Sequence, residues 1–271
     1  MISFWEKESF LTHDLMIVGG GIVGLCTALS LRERFPSRKI TLLERGLLPS
    51  GASTRNAGLA TFGSVGEILC DLRKMPETQV QQLVQRRHEG LQLLRHRLGD
   101  DAMEYTAFGG YEFIFRNETI GPEQVERVNT LLHPVFHKNI FSIDNTLIQK
   151  FQFNKNFIRY CIHNPMEGQL HSGKLMQSLI RLCYERNITI HTGAEVLWYE
   201  DQEKQVVVSV HDAANKRSIQ YSAQQVIFCT NAFTNTLFPE LDITPGRGQV
   251  LITKPVVNLP FQGSFHFDEG Y

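Results

Sequence analysis

The segment Asp14-Leu-Met-Ile-Val-Gly-Gly-Gly-Ile-Val-Gly24 decides how this chain is read. Leu15 to Val18 is a short apolar run of the kind that forms a strand buried on both faces. Gly19, Gly21 and Gly24 follow at G-x-G-x-x-G spacing, and Ile22 to Phe35 reads as a helix. The first glycine permits a sharp turn, the second lets backbone approach a pyrophosphate, and the third lets helix and strand pack closely. The pyrophosphate itself would rest on the free N–H groups and positive dipole end of the helix. The spacing alone is a weak signal, so its neighbourhood has to carry the argument.

Working outward, Leu15 to Leu31 runs 17 residues without a charge, which could pass for a signal peptide or a membrane span. Its four glycines and acidic leader (Glu6, Glu8 and Asp14 against Lys7) argue for strand, loop and helix instead. Lys39 to Glu44 is a second apolar strand that ends on a carboxylate about 20 residues past the last glycine, the place for an acceptor of both ribose hydroxyls. An acid there favours a free ribose 2′-OH over a 2′-phosphate. Arg45-Gly46 and the small, polar loop Gly51-Ala-Ser-Thr-Arg-Asn-Ala-Gly58 come next, beyond the carboxyl end of that strand, where ligands bind in open α/β sheets.

Together the glycine loop, Glu44-Arg45 and Gly51–Gly58 resemble the D-amino-acid oxidase/sarcosine oxidase-like superfamily of FAD-dependent oxidoreductases. The resemblance implies FAD as cofactor. It implies contacts from Gly19, Gly21, Ile22, Val23, Gly24, Glu44, Arg45, Gly51, Ala52, Ser53, Thr54, Arg55, Asn56, Ala57 and Gly58. Later passages add to it. The residue matching Val196 contacts adenine through its backbone, Gln225 to Phe233 matches a strand leading back under the flavin through Thr230 and Asn231, and Thr244 to Val250 matches an R-G-Q passage entering the substrate sheet. The implied fold is α/β. A Rossmann-like FAD-binding domain, parallel sheet plus small β-meander, occupies 1–66 and 161–238. An α+β substrate domain, inserted in sequence, occupies 67–160 and 239–271 and is incomplete. The resemblance covers this chain but not all of a typical member, so the chain is expected to be a fragment that retains FAD weakly or not at all.

The rest of the chain is less specific. Val80, Leu83, Val84, Leu91, Leu94 and Leu98 predict a long helix beginning near Pro76. Tyr105 to Phe115 predicts a hairpin or two strands around Gly109-Gly110, and Pro122 to Phe136 a helix. A helix carrying Leu175, Leu179, Ile180 and Leu182 follows the turn-rich stretch Asn164 to Gly173, and Trp198 to Tyr221 alternates as two or three strands. His133 and His137 are four apart, but Pro134 lies between them and no carboxylate completes a metal set.

Composition sets the outer bounds. The chain has 271 residues, 42% hydrophobic and 20% charged, with a formal net charge of −1. That gives no reason to expect nucleic acid or an anionic membrane as partner. Five scattered cysteines without C-x-x-C spacing fit a reducing cytoplasm. The resemblance implies oxidation of a C–H next to an amine of a small amino acid or N-substituted amine, with oxygen or another carrier as electron acceptor. A 2-hydroxyacid or polyol-phosphate dehydrogenase on the same fold, and a non-catalytic flavoprotein assembly factor, remain as alternatives. No catalytic base is evident; Tyr111, His171 and Arg247 are the candidates for facing substrate.

Overall fold

A computed structural model describes residues 2–212 and 215–267. In chain order the regular elements are α1 (Phe4–Glu6), β1 (Thr12–Val18), α2 (Ile22–Arg34), β2 (Ile40–Glu44), β3 (Leu59–Ala60), α3 (Val65–Asp71), α4 (Glu77–Leu98), β4 (Gly110–Phe115), α5 (Pro122–Phe136), β5 (Ser142–Ile143), α6 (Thr146–Lys150) and β6 (Ile158–Asn164). They continue with β7 (Gly168–Gln169), α7 (Ser172–Glu185), β8 (Thr189–Thr192), β9 (Ala194–Asp201), β10 (Val206–Asp212), β11 (Arg217–Phe228) and β12 (Ser264–His266). The chain forms two compact units, Met1–Asn56 with Ser172–Val250 and Ala57–His171 with Leu251–Tyr271.

The first unit is built on a six-stranded sheet in the order β8-β2-β1-β11-β10-β9. β1 pairs in parallel with both β2 and β11, and β2 with β8. A parallel pair needs a crossover, and α2 supplies it between β1 and β2. Both faces of β1 are therefore covered. On one, Ile17 lies against Gly24 of α2. On the other, Met16 and Leu43 join Val208, Val210 and Tyr221 in one cluster. Met16 and Ile17 are both fully buried, each contributing about 1.5–3 kcal/mol of hydrophobic stabilisation. That two-sided burial is why the sequence shows a continuous apolar run instead of an alternation.

β11 has two roles. Its first half pairs antiparallel with β10, from Arg217↔Asp212 to Ala223↔Val206, and its second half runs parallel to β1 as far as Phe228↔Val18. One 12-residue strand thus joins the meander to the parallel sheet.

The second unit is α+β. Its main sheet runs β12-β4-β6-β5, with β4 and β6 antiparallel and β12 parallel to β4. On one face Ile114 and Ile162 pack with residues of α3, α4 and α5, among them Ile68, Val84, Val128 and Leu132. On the other, Tyr111, Phe113 and Cys161 pack with Ile148, Phe151 and Phe265. Asn129 fastens the chain after α5, accepting from the N–H groups of Ile140 and Phe141 and donating to the Phe141 carbonyl.

Three local expectations change. Of Tyr105–Phe115, expected as a hairpin or two strands, only Gly110–Phe115 is a strand; Gly109 has φ +84°, and before it Thr106 makes a single bridge to Gln169. The strand expected over Gln225–Phe233 ends at Phe228, because Asn231 takes φ +47° and opens a 3-10 helix over Asn231–Thr236. The R-G-Q passage is irregular, with Leu251 and Ile252 almost fully exposed, and Ser264–His266 is what pairs with β4.

Candidate cofactor site

At the carboxyl end of β1 the chain must leave the sheet between two strands that remain hydrogen-bonded to it. The Gly19 N–H donates to the Leu43 carbonyl at 2.8 Å, and the Cys229 N–H donates to the Val18 carbonyl at 2.7 Å. Gly19 makes the turn with φ +110°, and a side chain there would run into the Cys229 carbonyl. Gly24, one turn into α2, sits so close that a side chain would overlap the Gly19 carbonyl. Side-chain-free backbone is thus required on both sides of the turn.

The loop carries backbone donors toward the start of α2, whose first turn holds no acidic residue. Two polar side chains meet them. Glu44 accepts from the Gly20 N–H at 2.8 Å and, through its other oxygen, from the Gly46 N–H at 2.9 Å. Ser53 accepts through Oγ from the Ile22 N–H at 2.9 Å. Gly21 caps the helix, with Ser53 Oγ about one contact distance from where its Cβ would stand, at 3.1 Å. A helix N-terminus entered through glycines, with one hydroxyl and one carboxylate accepting from its backbone N–H groups, has the donor set that a diphosphate with its ribose alongside would use.

The second loop is held by its own polar groups. Ala52–Thr54 is a 3-10 turn, Thr54 donates to the Pro49 carbonyl at 2.8 Å, and Asn56 donates to the carbonyls of Ala52 and Ser53. Ser172, at the start of α7, donates to Asn56 at 2.6 Å. Gly51 and Arg55 are exposed. Ala57 and Gly58 belong to the second unit, where the buried Gly58 has φ +71° and accepts from the Leu170 N–H.

The remaining sequence candidates are distributed as follows. Val23 is exposed in the first turn of α2. Val196 pairs with Val210 and packs its side chain on the cluster containing Met16 and Leu43. Thr230 precedes the 3-10 helix, its hydroxyl 2.9 Å from that of Thr234, and Asn231 is that helix's first residue. The Cys229 thiol is pushed up by burial, opposed by a bond with Thr27, and so is held in the inert protonated form. Arg45 lays its guanidinium 3.4 Å from the centroid of the Phe233 ring.

Of the substrate candidates, Tyr111 is buried on β4, stacked between His163 and Phe265, with its hydroxyl donating to the Phe108 carbonyl. Burial holds its phenol above the usual range. His171 is exposed and bonds by its backbone to Met103. Arg247 is exposed in the irregular passage of the first unit. The fold brings Glu44, the glycine loop, Ser53, Arg45 and Thr230 to one end of one sheet; Tyr111 and His171 lie in the other unit.

Two residues of this neighbourhood were not singled out from sequence. Gly20 donates to Glu44, and a side chain there would press on that residue's Cβ at 2.9 Å. The third consecutive glycine was its visible signal. Phe233 had no signal, because nothing in the spacing ties it to Arg45. Among the described residues no helix is long and apolar enough to cross a membrane, and no group of three or more His, Cys, Asp or Glu could hold a metal.

The family model described as FAD dependent oxidoreductase matches residues 14–270. Among solved structures the chain is similar to glycine oxidase from Geobacillus kaustophilus, at 19% identity and TM-score 0.60, covering 84% of this chain and 58% of that one. It is similar to L-amino acid deaminase from Proteus myxofaciens, at 17% identity and TM-score 0.63, covering 86% and 49%. The third, L-proline dehydrogenase from P. horikoshii, has 14% identity and TM-score 0.68, covering 95% and 64%. The chain therefore spans between half and two-thirds of the length of these structures, which share its fold. No curated protein sequence matches.

Proposed function

We propose, from the premise that the chain belongs to the FAD dependent oxidoreductase family, that it serves the oxidation of a C–H bond next to the amine of a small amino acid or N-substituted amine. Family membership makes FAD the expected cofactor. The observation that carries the reading is the glycine crevice of the first unit, with Gly19 and Gly24 closing against backbone while Glu44 and Ser53 accept from the N–H groups of Gly20 and Ile22.

In this reading Met1–Asn56 with Ser172–Val250 is the FAD-binding domain, and the other unit takes the substrate. The N–H groups at the start of α2 would hold the diphosphate, Glu44 would accept from the ribose hydroxyls, and Gly51–Gly58 would follow the chain toward the flavin. FAD, when bound, supplies the hydride-accepting chemistry. The chain's own residues bind and orient it. The amine class is preferred because the similar structures include a glycine oxidase, an L-amino acid deaminase and an L-proline dehydrogenase.

The test is anaerobic bleaching of the FAD-loaded protein across amino acids, N-methyl amino acids and 2-hydroxyacids. Bleaching by members of the first two classes is expected. Bleaching by hydroxyacids alone would move the substrate class, and a flavin that no compound bleaches would defeat the enzymatic reading.

A further inference from the structure

We propose that the Arg45–Phe233 stack is a strap across the mouth of the glycine crevice that slows release of a bound dinucleotide. The proposal rests on the FAD reading above and adds a part to it. β1 lies between β2 and β11 in the sheet. Arg45 follows the residue that ends β2, and Phe233 lies in the 3-10 helix just past the end of β11. These are the two chains whose hydrogen bonds to Val18 and Gly19 frame the start of the glycine loop. A side-chain contact between them bridges the strand that lies between, at the end where the glycine loop leaves it.

Packing does not account for the contact. Phe233 is 42% exposed, Arg45 is exposed, and neither is among the described residues of the cluster that contains Met16 and Leu43. The guanidinium lies over the Phe233 ring, 3.4 Å from its centroid, and among the described residues no carboxylate pairs with it. A guanidinium held flat on a ring keeps its edge N–H groups and its charge available to an anion. The start of α2 presents backbone dipoles to a diphosphate from one side, and Arg45 would present a full positive charge from the mouth. Phe233 is then a positioning residue, acting through Arg45.

Release of FAD and of ADP, followed by flavin fluorescence and by displacement, tests the strap. Phe233→Ala is expected to speed release of both about tenfold, the scale of a cation–π contact that becomes desolvated. Phe233→Trp should restore slow release. Arg45→Gln should speed release similarly and flatten its dependence on salt, because the charge is gone. The double variant should release no faster than Arg45→Gln alone, since the two side chains act as one unit. Riboflavin, which lacks the diphosphate, should be insensitive to all three changes. Release of FAD and ADP at the wild-type rate from Phe233→Ala, or additive effects in the double variant, would overturn the strap and leave the cofactor reading standing. A full-length wild-type protein that binds neither FAD nor ADP would overturn both.

Discussion

The two units of this chain place charge in opposite ways. In the first, the buried polar groups among the described residues are neutral ones such as Thr41, Ser178 and Ser209, with His13. Its carboxylate of interest, Glu44, stays at the rim and engages backbone N–H groups that a ligand could also use. The second unit takes carboxylates inside. Glu112, at 4% exposure, accepts from the Ser64 hydroxyl and from the N–H groups of Val65 and Gly66 at the start of α3. Glu167, at 1%, accepts from the Phe62 N–H and stands 3.5 Å from His266 Nε2. Glu44 shapes loop backbone at a rim that solvent still reaches, whereas Glu112 and Glu167 are satisfied inside the fold and serve the fold itself.

The comparison breaks most visibly at Gly21. Gly21→Val would fill the space in front of the α2 N-terminus, and FAD retention should be abolished. The fold should survive, since exchanging the glycine cap costs only about 1 kcal/mol. Flavin fluorescence titration beside thermal unfolding measures the two separately; normal FAD stoichiometry in the variant would refute the site.

In the second unit the converse holds. Glu112→Ala leaves a hydroxyl and two backbone N–H groups buried without an acceptor, and should destabilise that unit by about 3–5 kcal/mol. Denaturant unfolding reads it, and a loss below 1 kcal/mol would show that water replaces the carboxylate.

Next comes His13. Burial, only partly opposed by its bond to the Phe10 carbonyl, lowers its pKa to about 4, with Lys39 and His191 adding repulsion and Asp14 a smaller attraction. A histidine depressed in the folded state stabilises it above the unfolded value of 6.5, and that stability is lost as pH falls toward 4. The loss reaches about 3 kcal/mol at the acid end. Hydrogen exchange at β1 between pH 4 and 7 should show the slope in the wild type and not in His13→Leu.

His266 has the opposite sign and the smallest effect. Burial disfavours its charge, but Glu167, then Glu112 and Glu67, outweigh it and raise the pKa. Its contribution is complete below 6.5 and fades as pH rises through the raised folded value, with a slope of at most about 1.4 kcal/mol per pH unit. His266→Gln should remove this alkaline slope from unfolding of the second unit.

How much of this was legible follows from where each signal comes from. β1, α2 and β2 were readable because burial on both faces and the glycine spacing are local properties of consecutive residues. Ser53 was readable as part of a loop, but its bond to the Ile22 N–H was not, since it joins positions 31 apart. β4 was legible as a strand but its burial was not: Tyr111, Phe113 and Phe115 alternate with Glu112 and Ile114, and alternation does not reveal that both faces are covered. Glu112 would pass for a solvent-facing residue on pattern alone. Its burial depends on three donors from a helix more than forty residues earlier, which no short-range rule detects.

The dual pairing of β11 also bears on the time at which the sheet can exist. β1 emerges from synthesis first, yet its partner on one side, from Ser222 to Phe228, arrives only after the entire stretch Ala57–His171. Until then the Thr12–Val18 backbone presents an open edge rich in apolar residues, a state prone to mispairing. The glycine turn packs against the Cys229 backbone, and that side of it is closed only when the late strand docks. Long-range closure of this kind makes folding slow, and it means that a dinucleotide cannot meet a finished crevice on a nascent chain shorter than about β11.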